Sequence, residues 1–311
     1  LNTTIAQAIA AIAANNQQGA AEVAEQGADV LLRCSHLDDA ATAADFRQRM
    51  LQTGWAIIRA QPTMAPLVNL VNTLLWKLEN CDALPLLRQT VASLTTDFKR
   101  LLHVHEAAIA EAALPLIPDG GWVLTCGRSS TVRAALLHGQ RAGRRFRVCC
   151  AEGRPGYEGR LMASDLSARG IPCMVVTDVL ALSKVAEVNV VLVGADHLSN
   201  KVLVNKAGTY GLALAAQHCR QPIYALCSSE KFLPPGYHLP DESHWPPEQV
   251  WADPPPHVQV ENLFFDRTPL TFLSGIVTEQ GILPTVGIEA WLAATRLHRA
   301  LAVEPTYSSA S

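Results

Sequence analysis

The chain has 311 residues, 49% of them hydrophobic and 17% charged, with a formal net charge of −3. That length holds one large domain or two ordinary ones, and so apolar a composition excludes extensive disorder. The slightly acidic balance excludes a strongly basic nucleic-acid binder, which carries a cationic excess or patch.

Residues 1 to about 118 read as helices alone. Ile5, Ile9 and Ile12 share one helical face, and Leu67, Leu70, Val71, Leu74, Leu75 and Leu78 recur at helical spacing. Val91, Leu94, Phe98, Leu101, Leu102, His105 and Ile109 make a longer stripe, expected to pack a helical domain. The Ala-rich start lacks the basic and apolar regions of a secretory leader, so a cytoplasmic location is expected. With Leu1 first, an initiator Met is expected to have been lost or omitted. The longest apolar region, 67–78, carries Asn69, Asn72 and Lys77 and is too short to span a bilayer. Pro115, Pro118, Asp119 and Gly120 punctuate the end of this half.

From residue 119 onward the pattern alternates. Apolar runs at 122–125, 146–150, 172–176, 188–193 and 223–227 read as strands, with helical segments at 131–138, 159–168 and 209–218 between them. This rhythm predicts an α/β domain over 119–311, with a mostly parallel sheet and helices on both faces. A Pro-rich stretch at 234–256 continues neither element and reads as a long surface loop: a lid, an interface arm or a passive excursion. Residues 263–265 look like a last strand, 288–301 like a closing helix and 306–311 like a frayed tail. The basic run Arg141, Arg144, Arg145 and Arg147 reads as a solvated helix end. Eight cysteines are scattered without a C-x-x-C pair, and Cys149 and Cys150 adjoin, so reduced, mostly buried thiols are expected. His103 and His105 sit two apart on a helix and point apart, which argues against a metal there. No metal or cofactor is expected.

Three constellations could do chemistry. The first, Thr125-Cys126-Gly127-Arg128-Ser129-Ser130-Thr131, follows a strand and opens a helix. Gly127 allows a tight turn, Ser129, Ser130 or Thr131 can cap the helix, and Arg128 offers a fork for phosphate; a merely well-capped helix is the alternative. The second, Glu152-Gly153-Arg154-Pro155 with Glu158 close behind, holds an Arg past another strand, for an anion or for a structural Arg–Glu pair. The third brings Asp196, at the end of the strand 188–193, together with Asn205 and Lys206. Alone it could be a salt bridge, but three polar groups and two anion-friendly loops at strand ends indicate a site for a small polar anion.

The order of these motifs strongly resembles the family of translation initiation factor 2B alpha, beta and delta subunits. Its enzyme relatives are ribose-1,5-bisphosphate isomerase and methylthioribose-1-phosphate isomerase. The matching segments are VLTCGRSSTV (123–132), AEGRPGYEGRLMASDLSARGIPCMVVTD (151–178), VNVVLVGADHLSNKVLVNKAGTYGLALAAQH (188–218), SSEKF (228–232) and FFDRTPLTFLSGIVTEQGILP (264–284). Weaker likeness covers 10–31 and 60–75, and GRSSTV looks closer to the initiation-factor-like members. The resemblance implies a helical domain (1–118), a Rossmann-like domain (119–311), homo-oligomers formed through the latter, and a phosphosugar or nucleotide pocket between the two.

In the isomerases a Cys and an Asp interconvert an aldose 1-phosphate and a ketose 1-phosphate, and that Asp matches Asp196. The Cys there follows a Thr-His pair, so aligning Thr125 puts Cys126 at the His and Gly127 at the Cys. A one-residue offset turns a strand side chain to the opposite face, whereas a bulge or a shifted gap restores Cys126. Gln61 stands before Pro62 where many relatives have Arg, and the segment between Asp196 and Asn205 is one residue shorter than usual. The resemblance thus implies an initiation-factor-2B-like, regulatory-subunit-type protein. Arg128, Ser129, Ser130 and Arg154 would hold phosphate beside Glu158, with Asp196, Asn205 and Lys206 on the sugar or fixing the loop. The alternative is an isomerase of ribose 1,5-bisphosphate or a related sugar 1-phosphate that uses Cys126 and Asp196; a structural subunit with a vestigial pocket is the third reading. The expected partners are a small phosphorylated sugar or nucleotide and further copies of the chain, with no direct nucleic acid and no membrane. In the eukaryotic complex such subunits support nucleotide exchange on a G protein, and a protein partner for this chain stays open.

Overall fold

A computed structural model describes residues 2–15, 18–238 and 245–302. Five helices come first: α1 (Thr3–Ala13), α2 (Ala20–Leu37), α3 (Ala43–Ala60), α4 (Ala65–Leu78) and α5 (Leu84–Ala113). Local signals start them. The Asn2 side chain accepts from Thr4 N–H, the Thr42 side chain accepts from Asp45 N–H, and prolines open α4 and α5. Their apolar faces meet in one core around Phe46, Met50, Leu67, Leu70 and Leu74. Helix α5 is long enough to serve both halves. Leu87, Val91 and Leu94 pack in that core, while Ile109 and Ala113 pack against the sheet.

The sheet half runs β1 (Trp122–Cys126), α6 (Ser130–Arg141), β2 (Arg147–Ala151), α7 (Glu158–Ser167), β3 (Cys173–Val176), α8 (Asp178–Lys184), β4 (Val190–Val193), β5 (His197–Leu198), β6 (Val202–Lys206), α9 (Thr209–Cys219), β7 (Ile223–Leu226), β8 (Phe265–Pro269), β9 (Gly275–Thr278), β10 (Gly281–Leu283) and α10 (Ile288–Leu292). The main sheet has seven strands in the order β10-β9-β7-β4-β1-β2-β3, all pairs parallel except β9 with β10. The chain winds outward from β1 to β3 and then outward again from β4 to β9, which makes the β1/β4 boundary a switch point. Alternate side chains pack on opposite faces. Leu124, Cys149 and Val191 meet α8, α9 and α10, while Val123, Val148, Cys150 and Leu192 meet α5, α6 and α7. The adjacent Cys149 and Cys150 therefore fill two different cores. A small antiparallel sheet, β5-β6-β8, carries the chain over the strand ends.

The structure departs from the sequence expectations in several places. Helix α8, which the sequence expectations did not include, buries Ala181 and leaves Val179 and Leu180 exposed. The strand expected at 263–265 lies at Phe265–Pro269 and is not the last, since β9 and β10 follow it as a hairpin. The closing helix ends at Leu292 instead of 301. Buried Asn72 on α4 donates to Arg296 O at 3.0 Å and accepts from His298 N–H at 2.7 Å, which holds that backbone out of a helix. Of the Pro-rich stretch, residues 239–244 lie outside the described residues, as does the tail 306–311. Residues 246–256 are exposed, with one short turn at Pro247–Gln249. No helix among the described residues is long and apolar enough to cross a membrane.

Candidate functional site

A cleft enclosing about 700 Å³ of space, open solvent included, lies at the switch point, between the carboxyl ends of β1, β2 and β4 and the helical half. Gly127 makes the turn from β1 to α6 at φ +68°, and a Cβ there would lie 3.1 Å from the Lys206 Cβ. Ser129 caps α6, its Oγ accepting from Val132 N–H at 3.3 Å, and Ser129 and Ser130 both line the cleft. Helix α2 also begins there, at Gly19 and Ala20, without a side-chain cap. Two helix N-termini thus meet one cleft, an arrangement that favours an anion.

The charged groups are mostly paired. Lys206 Nζ donates to Glu158 Oε1 at 3.0 Å, with both side chains more than nine-tenths buried, and Glu158 Oε2 is buried without a partner. Arg128 lines the cleft, but its Nη2 and Nε donate to Asp165 Oδ2 at 3.0 and 3.3 Å, and its Nη1 lies 3.8 Å from Glu22. Arg154 does not line the cleft. It is exposed, sits over the Tyr157 ring at 5.4 Å, and donates to Val250 O at 3.5 Å. Its turn is fixed instead by the Asp178 carboxylate, which accepts from Gly153 and Arg154 N–H, each at 2.8 Å.

Asp196 follows β4 and lines the cleft at 8% exposure. Its backbone bonds both halves, donating to Val204 O at 2.9 Å and accepting from Ala65 N–H at 3.3 Å. Next to it, His197 Nδ1–H donates to Thr63 O at 2.8 Å, and burial pushes the imidazole down to about 4, so it is neutral. Asn205 Nδ2 donates to Thr209 Oγ1 at 2.9 Å, and Thr209 in turn donates to Lys206 O at 2.6 Å. Cys126 ends β1, lines the cleft and lies 3.4 Å from the same Thr209 Oγ1. Because the Thr209 proton is committed, the thiol is the donor. Burial pushes that thiol up to about 12. No bulge interrupts the β1/β2 register through Thr125↔Cys150 and Cys126↔Ala151, and Cys126 belongs to the core under α9.

Several groups at the cleft escaped the sequence reading. Lys231, after β7, is 4% exposed and lines the cleft, and among the described residues it has no ion-pair partner. Its turn is held tightly: Asn69 Nδ2 donates to Glu230 O at 2.7 Å and Phe232 O at 2.8 Å, and His105 Nδ1 lies 2.6 Å from Glu230 Oε1. Lys231 sits inside the SSEKF segment, but only the folded structure brings that segment to the cleft. Asn15 and Gln18 line the helical wall beside Gln61, the position already noted where many relatives have Arg, and Trp245 and Phe264 line another part.

A profile of the initiation factor 2 subunit family matches residues 16–285. Ribose 1,5-bisphosphate isomerase of Methanocaldococcus jannaschii is 29% identical over 283 residues, covering 88% of this chain and 89% of that protein. The crystal structure of the Pyrococcus horikoshii translation initiation factor eIF-2B superposes with a TM-score of 0.80 at 27% identity, covering 91% of this chain and 98% of that one. The 5-methylthioribose 1-phosphate isomerase of Pyrococcus horikoshii shares the fold, with a TM-score of 0.75 at 22% identity over 94% of this chain and 88% of that one. The chain belongs to the initiation factor 2 subunit family.

Proposed function

We propose that this chain is an initiation-factor-2B-like protein of the regulatory type, which binds a phosphorylated sugar or nucleotide in the cleft and does not convert it. The carrying observation is the state of Cys126. A thiol that donates to Thr209 and titrates at about 12 is neither a base nor an acid matched to neutral pH. Binding itself is supported by two helix N-termini and buried Lys231 at the same cleft. Phosphate would be held by Lys231, Ser129 and Ser130, and hydroxyl groups by Asp196 and Asn205. Homo-oligomers belong to the same reading. Exposed Val179 and Leu180 on α8, with Tyr210 and Leu214 on neighbouring α9, form an apolar surface for a second copy to cover.

A second reading is an isomerase of ribose 1,5-bisphosphate or a related sugar 1-phosphate. It is favoured by one observation, that Cys126 and Asp196 line the same cleft. The deciding assay incubates the protein with ribose 1,5-bisphosphate and follows ketose formation, with Asp196→Asn and Cys126→Ser as controls. Saturable binding of a sugar phosphate or nucleotide without turnover is expected. Turnover abolished by both substitutions would establish the isomerase, and neither binding nor turnover would mark the pocket as vestigial.

A further inference from the structure

The turn that carries Lys231 is too short to place itself. After β7 the chain makes a single tight helical turn at Ser229–Lys231, closed by Lys231 N–H to Ser228 O at 2.9 Å and Phe232 N–H to Ser229 O at 3.0 Å. One such turn has little stability of its own, so its position is set by what it bonds to. The sheet half holds its two ends. Ser229 N–H donates to Glu279 Oε2 at 3.2 Å, and Leu233 N–H donates to Leu198 O at 2.9 Å. The middle belongs to the helical half. The carbonyls of Glu230 and Phe232 bracket Lys231, and both accept from Asn69 Nδ2, at 2.7 and 2.8 Å. The Glu230 carboxylate is drawn the same way, with Oε1 2.6 Å from Nδ1 of His105 on α5.

A side-chain amide has two N–H donors, and Asn69 spends both on the two neighbours of one residue. Asn69 is buried on α4 between Val68 and Leu70, and its Oδ1 has no donor among the described residues, so the two carbonyls orient the amide. Lys231 lines the cleft and Asn69 does not. The lysine stem is a flexible chain of four carbons, so the backbone anchor decides which positions the ammonium can reach. Asn72 offers a comparison on the same helix. It is buried too and makes two bonds to the sheet half, donating to Arg296 O at 3.0 Å and accepting from His298 N–H at 2.7 Å. Those bonds hold the segment after α10, and neither Arg296 nor His298 lines the cleft.

We propose that Asn69 is a positioning residue of the anion site: it sets where Lys231 places its ammonium without touching the ligand. This rests on the binding reading above and adds that the helical half governs the affinity of a cation supplied by the sheet half.

Calorimetric titration of the full chain with ribose 5-phosphate, and in parallel with AMP, tests the proposal. The forms compared are the wild type, Asn69→Ala, Asn72→Ala, Lys231→Met and the Asn69→Ala/Lys231→Met double variant, with circular dichroism to verify folding. Asn69→Ala is expected to weaken binding about tenfold, a loss of the size seen when a binding group is displaced and not removed. Asn72→Ala also removes two bonds between the halves and should lower the melting temperature, yet shift affinity less than about twofold. On the Lys231→Met background, Asn69→Ala should change the residual affinity less than about twofold, because an effect routed through one side chain disappears with it. Should Asn69→Ala fail to fold, Asn69→Ser, which keeps one donor, should show the same pattern with a smaller loss. Unchanged affinity in the folded Asn69 variant, equal weakening by Asn69→Ala and Asn72→Ala, or an undiminished effect of Asn69→Ala in the double variant overturns the assignment while leaving the binding reading intact. A folded wild type that binds neither probe overturns both.

Discussion

The Cys126 thiol is a hydrogen-bond donor to Thr209 Oγ1, 3.4 Å away, because the Thr209 proton already goes to the Lys206 carbonyl. Burial at the floor of the cleft keeps the sulfur protonated. Thiol reactivity follows the thiolate fraction and access. Brief iodoacetamide treatment at pH 8 should therefore leave Cys126 unmodified while the partly exposed Cys81 and Cys219 are labelled, as read by peptide mass spectrometry. Rapid labelling of Cys126 would restore it as a catalytic candidate.

Glu158 and Lys206 form a buried pair 3.0 Å apart. Removing one partner strands the other charge, so Glu158→Gln should cost about 3–5 kcal/mol in chemical denaturation. Combining it with Lys206→Met should recover much of that loss, because a buried pair replaced as a unit is often neutral. Equal destabilisation of the single and double variants would show that the pair is not coupled.

Lys231 is buried with no ion-pair partner among the described residues, a costly state for an ammonium that makes sense where an anion binds. Lys231→Met should hold or raise the melting temperature, yet weaken phosphate-ligand binding about 10- to 100-fold, the loss expected for one charged hydrogen bond. A melting temperature that falls with affinity unchanged would make Lys231 structural.

His197 ties β5 to the helical half through Thr63, and its imidazole is pushed down to about 4. The unfolded chain takes up this proton near pH 6.5 and the folded chain only near 4. The stabilisation is therefore complete above pH 6.5 and is lost as pH falls through that window, about 3 kcal/mol in all. Urea unfolding at pH 7 and pH 4.5 should show the drop, and His197→Gln should flatten it. An undiminished pH dependence in the variant would assign the effect to other groups.

The strands of the parallel sheet were legible because β1, β2 and β4 are buried on both faces and read as unbroken apolar runs. The short β5, β6, β9 and β10 were hidden, since their pairing depends on partners distant in sequence, such as β8 for β6. At the site, Ser129, Glu158, Asp196, Asn205 and Lys206 were readable from strand ends and all line the cleft. Arg154 was not separable from them by sequence, because only the folded turn shows Asp178 holding its backbone while the side chain turns outward. Lys231 and Trp245 were invisible for the same reason: the turn after β7 and the Pro-rich stretch reach the cleft only through tertiary bonds from Asn69 and Asn262.

If the cleft at the switch point binds a phosphorylated small molecule, then ribose 5-phosphate titrated into the intact chain should bind saturably, one to one. The same titration into Lys231→Met, with circular dichroism to verify folding, should show severe weakening. A folded wild-type chain that takes up neither ribose 5-phosphate nor AMP at millimolar concentration would rule out such a ligand.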